Sequence, residues 1–270
     1  MRSRRPAVFS AFLALLMVTP LRGITEEEAE TDSGARREAR GLNPYTAPSI
    51  EQIFQRLDEL KPLPFDLVRR DFAAGSHAGR EQIGMQFGGS VADGFLLVAC
   101  QKKNMVDELG RVLLRQARSL GVGQRVMRHS ASLTELGRRG DWRAMRSELM
   151  ATQTDVEQAM VDLHDQKMAQ LISLGGWLRG LEICAAAVET QYTPQRAKTL
   201  AQPDLVAYFW DEIRTLPPSV GQTPLFQEIR TGLGSVRGVV QKAPAAGLTA
   251  TDAKALHTLA RQMNAAVQRE

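Results

Sequence analysis

Cysteine is nearly absent from this chain, with two in 270 residues, Cys100 and Cys184. That excludes a disulfide scaffold, a four-cysteine zinc site and the Cys-x-x-Cys-His attachment of c-type haem. A single Cys100–Cys184 bridge is all an oxidising compartment would permit. Each cysteine lies in an apolar run, so the competing reading is a pair of free core thiols. Histidine is scarce too, with four. Di-iron bundles need a glutamate three residues before a histidine on each of two helices. Here the residues three before His77, His129, His164 and His257 are Ala74, Val126, Val161 and Lys254, so that chemistry is excluded. His-Glu-x-x-His and Gly-x-Ser-x-Gly are missing as well. The run GLGSVRG (232–238) has no strand before it and lacks the glycine spacing of a phosphate loop, so it reads as helix packing. No period-2 stretch bounded by turn residues is present, and no cofactor motif stands out.

Excess charge is also lacking. The chain carries 34 basic and 30 acidic residues, but Arg2, Arg4, Arg5 and Arg22 lie in the first 23 residues, which contain no acid. Without that segment the formal charge is zero, and a phosphate-backbone ligand loses its electrostatic basis, so no nucleic-acid partner is expected.

The start of the chain reads as a signal peptide, residues 1–23: a cationic stretch, a run from Ala7 to Val18 dominated by apolar side chains, then Pro20 and Gly23. Twelve helical residues span about 18 Å, against about 30 Å of hydrocarbon, so no permanent membrane span is expected. Residues 24–47, with EEEAE and RREAR, hold too little apolar surface for a core and read as a disordered tether.

From residue 48 the pattern is helical, and the expected fold is all-α, a multi-helix bundle over 48–241, followed by a linker and a C-terminal amphipathic helix over 242–270. Ser49 and Gln52 form a capping box for a short helix that Pro62 and Pro64 stop. Residues 65–78 read as a loop. The stretch 80–101 is apolar all round and should be a central helix. Helices at 102–120 and 122–139 end at Gly121 and Gly140. Asp141 caps a long helix whose pattern, Trp142, Met145, Leu149, Val156 and Leu163, runs on to Val188 with an interruption near Gly175 and Gly176. Thr193-Pro194, Thr223-Pro224 and Pro203 open further helices. Thr249 or Thr251 caps the last one.

Glycines cluster where the helices are most apolar. A helical glycine costs about 1 kcal/mol against alanine, so close helix contact must offset it. Gly84 and Gly88, with Gly176 and Gly180, give two four-residue notches, which makes 80–101 and 171–190 the expected central crossing pair. The same two helices carry isolated charges, Asp93, Arg179 and Glu182. A buried unpaired charge costs several kcal/mol, so Asp93 and Arg179 should pair at the crossing, with Glu182 sharing Arg179 or lining a polar cavity. Two readings stand: a ligand pocket, or a structural ion pair that fixes helix register.

Met160, His164 and Met168 lie at successive four-residue steps on one helix face, and thioether with imidazole suits copper(I); the alternative is core packing. His129 sits on an apolar stripe and reads as a hydrogen-bonded core histidine. Glu148, Asp155 and Asp162 repeat every seven residues and read as a solvated stripe or a surface for a cation or partner. The function expected is a non-enzymatic binding or scaffold role, periplasmic or secreted, with an envelope protein as partner. The alternative is a ligand- or metal-handling protein or enzyme with a polar site around Asp93, Arg179, Glu182 and His164.

Overall fold

A computed structural model describes residues 50–72, 78–242 and 247–269. The expected signal peptide, the tether and the Ser49 cap lie outside the described residues. Twelve α-helices and no strand occur among those described: α1 (Ile50–Glu59), α2 (Phe65–Val68), α3 (Arg80–Ala99), α4 (Val106–Ser119), α5 (Gly123–Arg139), α6 (Trp142–Asp162), α7 (Gln166–Thr190), α8 (Pro194–Ala197), α9 (Pro203–Arg214), α10 (Pro218–Gly221), α11 (Pro224–Gln241) and α12 (Ala250–Gln268). The chain is an all-α multi-helix bundle.

Its centre is the crossing of α3 and α7, both apolar around most of their circumference and buried on nearly every face. The approach is made backbone to backbone. A β-carbon at Gly88 would overlap the Ile172 carbonyl oxygen and sit 2.7 Å from the Gly176 nitrogen, and one at Gly175 would overlap the Met85 carbonyl. The contact is thus reciprocal, each helix lending a glycine to the other's carbonyl. Gly84 is covered by the Met168 thioether. Gly180, expected in the same notch, lines a narrow cleft with Arg56, Trp177, Leu181, Cys184 and Gln202. Helices α4, α5 and α6 enclose one side of the crossing, while α12 lies along α7 with α11 and then α9 outside it. By length and mean hydropathy α7 is long and apolar enough to cross a membrane, yet its apolar window is wholly buried within the bundle.

Helix ends follow local chemistry. Asp141 accepts from Ala144 N and Asp165 from Met168 N, both at 3.1 Å, and Thr193 accepts from Arg196 N. Thr249 and Asp252 form a reciprocal capping box. Thr223 precedes α11 but turns its hydroxyl back to the Val220 carbonyl at 2.8 Å, so it does not cap with its side chain. Gly140 ends α5 in the left-handed region (φ 71°), where a β-carbon would be strained.

Two expectations need correction. The long helix breaks at Leu163–Asp165 and not at Gly175–Gly176, because Asp165 caps a new helix and His164 adopts φ 56°, whereas the paired glycines are held inside α7 by the backbone of α3. The loop expected over 65–78 contains the single turn α2. The last helix docks on the bundle, with Leu256, Met263 and Val267 buried.

Candidate functional site

The charges carried into the α3–α7 crossing form one network. Arg179 Nε donates to Asp93 Oδ1 at 2.8 Å, Nη1 to Glu182 Oε2 at 2.7 Å, and Nη2 to the Val68 carbonyl. Arg70 Nε donates to the second Asp93 oxygen at 2.8 Å. The Arg179 side chain is 1% exposed and that of Asp93 6%. Burial opposes the Arg179 charge, but the Asp93 and Glu182 carboxylates outweigh it and hold the guanidinium above its ordinary value.

The structure therefore brings Asp93, Arg179 and Glu182 together. It adds Arg70 and the Val68 carbonyl, which sequence reasoning missed because they lie at the end of α2 and in the stretch just after it, where no periodic pattern marks them. Gly89 was the available signal: a β-carbon there would lie 2.8 Å from Arg70 Nη2, so the missing side chain leaves room for the incoming guanidinium.

The remaining candidates are dispersed. His164 sits in the α6–α7 turn and outside both helices, while Met160 and Met168 are buried. The proposed copper face therefore does not form, since the helix that would align it ends at Asp162. Among the described residues no group of three or more His, Cys, Asp or Glu side chains is placed to hold a metal ion. Cys100 and Cys184 are both free, which removes the bridge. Cys184 is buried in α7, and that burial pushes its thiol up to about 12. Cys100, half-buried just past α3, is raised by burial as well.

His129 is buried between two carboxylates, with Nδ1 2.6 Å from Glu148 Oε1 and Nε2 2.9 Å from Asp155 Oδ2. Two members of the heptad-spaced acidic row are thus occupied by a neighbouring helix, and the third, Asp162, pairs with Arg125 at 2.9 Å. Between α6 and α7 lies a further buried acid, Glu157, which accepts from Gln153 Nε2 at 2.8 Å and from Ser173 Oγ at 2.9 Å. Burial pushes it up to about 7 against the pull of those two donors.

Among the surface concavities formed by the described residues are two that lie outside this network. One is an apolar groove of about 790 Å³ formed by Lys61–Leu67 with Ala99, Cys100 and Lys102. The other is a polar cleft of about 370 Å³ between α1 and the 195–202 segment. Neither is lined by Asp93, Arg179 or Glu182. No family model matches the chain, and neither a curated protein nor a solved structure is significantly similar to it.

Proposed function

We propose that this chain is an exported helical-bundle protein that acts by binding, in the periplasm or cell envelope, and not by catalysis. Export is supported by the cationic-then-apolar start of the sequence, Arg2 to Val18, followed by Pro20 and Gly23. The binding role is supported above all by one observation: each of the three nitrogens of Arg179 donates to an acceptor of its own chain. The most deeply buried charge thus works as a tie between α3, α7 and the end of α2, and the open polar surface lies elsewhere, in the cleft beside α1. A site for ligand handling or catalysis around Asp93, Arg179, Glu182 and His164 has less support, since Arg179 is closed to solvent and His164 belongs to a different part of the fold.

The test is native mass spectrometry of the protein recovered from its own envelope fraction, with its N-terminus mapped. A chain starting near residue 24 that retains an unmodified partner or small molecule supports the reading. Recovery only from the cytoplasm with the leader intact overturns export, and conversion of the retained molecule during incubation overturns the non-enzymatic role.

A further inference from the structure

The half-buried Arg56 makes no side-chain hydrogen bond or ion pair among the described residues. By contrast Arg70, Arg179 and Arg196 all reach protein acceptors. Arg56 lies where two concavities meet: the polar cleft shared with Gln55, Glu59, Gln195 and Lys198, and the narrow inner recess bordered by Trp177 and Gly180. Burial lowers the Arg56 pKa against the pull of the Glu59 carboxylate, while the neighbouring Cys184 offers no counter-charge, because a thiol pushed up to about 12 is neutral at physiological pH. Glu59 is then the one carboxylate among the residues lining the cleft, against two cations, Arg56 and Lys198.

The walls are held before any ligand arrives. Arg196 Nη2 donates to the carbonyls of Leu60 and Ala187, each at 3.0 Å, clamping the 194–202 segment to the end of α1 and to α7. Trp177 Nε1 donates to Gln202 Oε1 at 3.3 Å, and Gln202 Nε2 to the Thr199 carbonyl at 2.9 Å, so the inner edge is locked as well. Gly180 puts no side chain into the recess. Preorganised walls around a guanidinium that makes no hydrogen bond among the described residues are what a small-ligand site requires.

We propose that this cleft binds a small amino-dicarboxylate, with one carboxylate on Arg56, the second on Lys198 and the ammonium on Glu59. A planar guanidinium accepts a carboxylate through two parallel hydrogen bonds, whereas Lys198 supplies a point charge. Two cations and one anion are the complement of two carboxylates and one ammonium. Gln55 and Gln195 supply amide donors and acceptors at the rim. This assignment rests on the binding reading above and names the ligand class for it.

Isothermal titration of the mature chain with L-glutamate, succinate and inorganic phosphate tests the assignment. L-Glutamate binds with a Kd of about 1 mM or tighter, and succinate binds more weakly for want of the ammonium. Arg56→Met weakens glutamate binding about tenfold or more without lowering the melting temperature, because it replaces a half-buried guanidinium that makes no hydrogen bond among the described residues by an apolar chain of similar length. Lys198→Gln, at an exposed position, weakens it too and guards against a folding artefact. No glutamate binding, phosphate binding as tight as glutamate, or unchanged affinity in Arg56→Met overturns the proposal. A chain that retains an envelope partner yet takes up no glutamate loses this site and keeps its binding role.

Discussion

Gly89 and Arg70 are matched by omission: the guanidinium reaches the crossing through the space where a side chain at Gly89 would stand, and it closes the outer oxygen of Asp93. The central ion pair thus depends on a segment far outside the two helices that carry it. Arg179 binds the Val68 carbonyl at the end of α2, so the same network also tethers that short helix to the core.

Asp93→Leu leaves Arg179 with one carboxylate and takes from Arg70 its partner at the crossing, and should destabilise the fold by about 3–5 kcal/mol in urea unfolding. Arg179→Met with Asp93→Leu should recover part of that loss, because it removes the buried cation, while Glu182 and Arg70 still lose the partners they have in the network. If the single and double variants lose the same stability, the network contributes through packing and the electrostatic account is wrong.

The glycines separate into those that are touched and those that are not. Gly88→Ala forces a β-carbon into the Ile172 carbonyl, backbone that cannot swing aside, and should cost about 3 kcal/mol or more. Gly238, inside α11, has nothing within 4 Å of its would-be β-carbon, so Gly238→Ala should stabilise by roughly 0.5–1 kcal/mol through helix propensity. Thermal melts of the two variants should move in opposite directions, and a shared direction would deny the close crossing.

Both thiols are free, but their surroundings differ. Cys184 is buried and held as the protonated thiol, while Cys100 is half-buried at the apolar groove. A thiol reagent should therefore label Cys100 slowly in the folded chain and Cys184 only on unfolding. Intact mass should be unchanged by reductant, whereas a gain of two hydrogens would reveal a bridge.

Much of the bundle was legible because helix pattern and helix caps are local. Asp141, Thr193, Thr249 and the stop at Gly140 act within one turn of the residues that announce them, and the Gly88–Gly176 notch follows from the cost of a helical glycine. The α6–α7 break was not legible, because apolar spacing continues through Leu163 and only the Asp165 cap competes with it. Arg70 and Arg56 were missed for a different reason. Arg70 acts outside any periodic element, and Arg56 lies on the rim of a short helix where arginine is ordinarily solvated; what makes each notable is its neighbours from distant segments. Pairing of Glu148 and Asp155 with His129 was hidden likewise, since a seven-residue acidic spacing looks the same whether water or a neighbouring helix faces it.

Glu157 supplies a pH dependence whose sign can be worked out. Burial raises its folded value to about 7, above the ordinary 4.5, while the hydrogen bonds from Gln153 and Ser173 pull the other way. The folded chain therefore holds this proton more tightly than the unfolded chain does. Its stabilising contribution is complete below about pH 4.5, declines as the pH rises to about 7, and is gone above that, a change on the order of 3 kcal/mol. Glu157→Gln keeps an acceptor for Gln153 and Ser173 but never ionises. It should be more stable than the parent by about that amount at pH 8 and nearly equal to it near pH 4.5, as read from urea midpoints at the two pH values. An equal difference at both would mean that Glu157 does not titrate in this window and that the α6–α7 interface tolerates its charge.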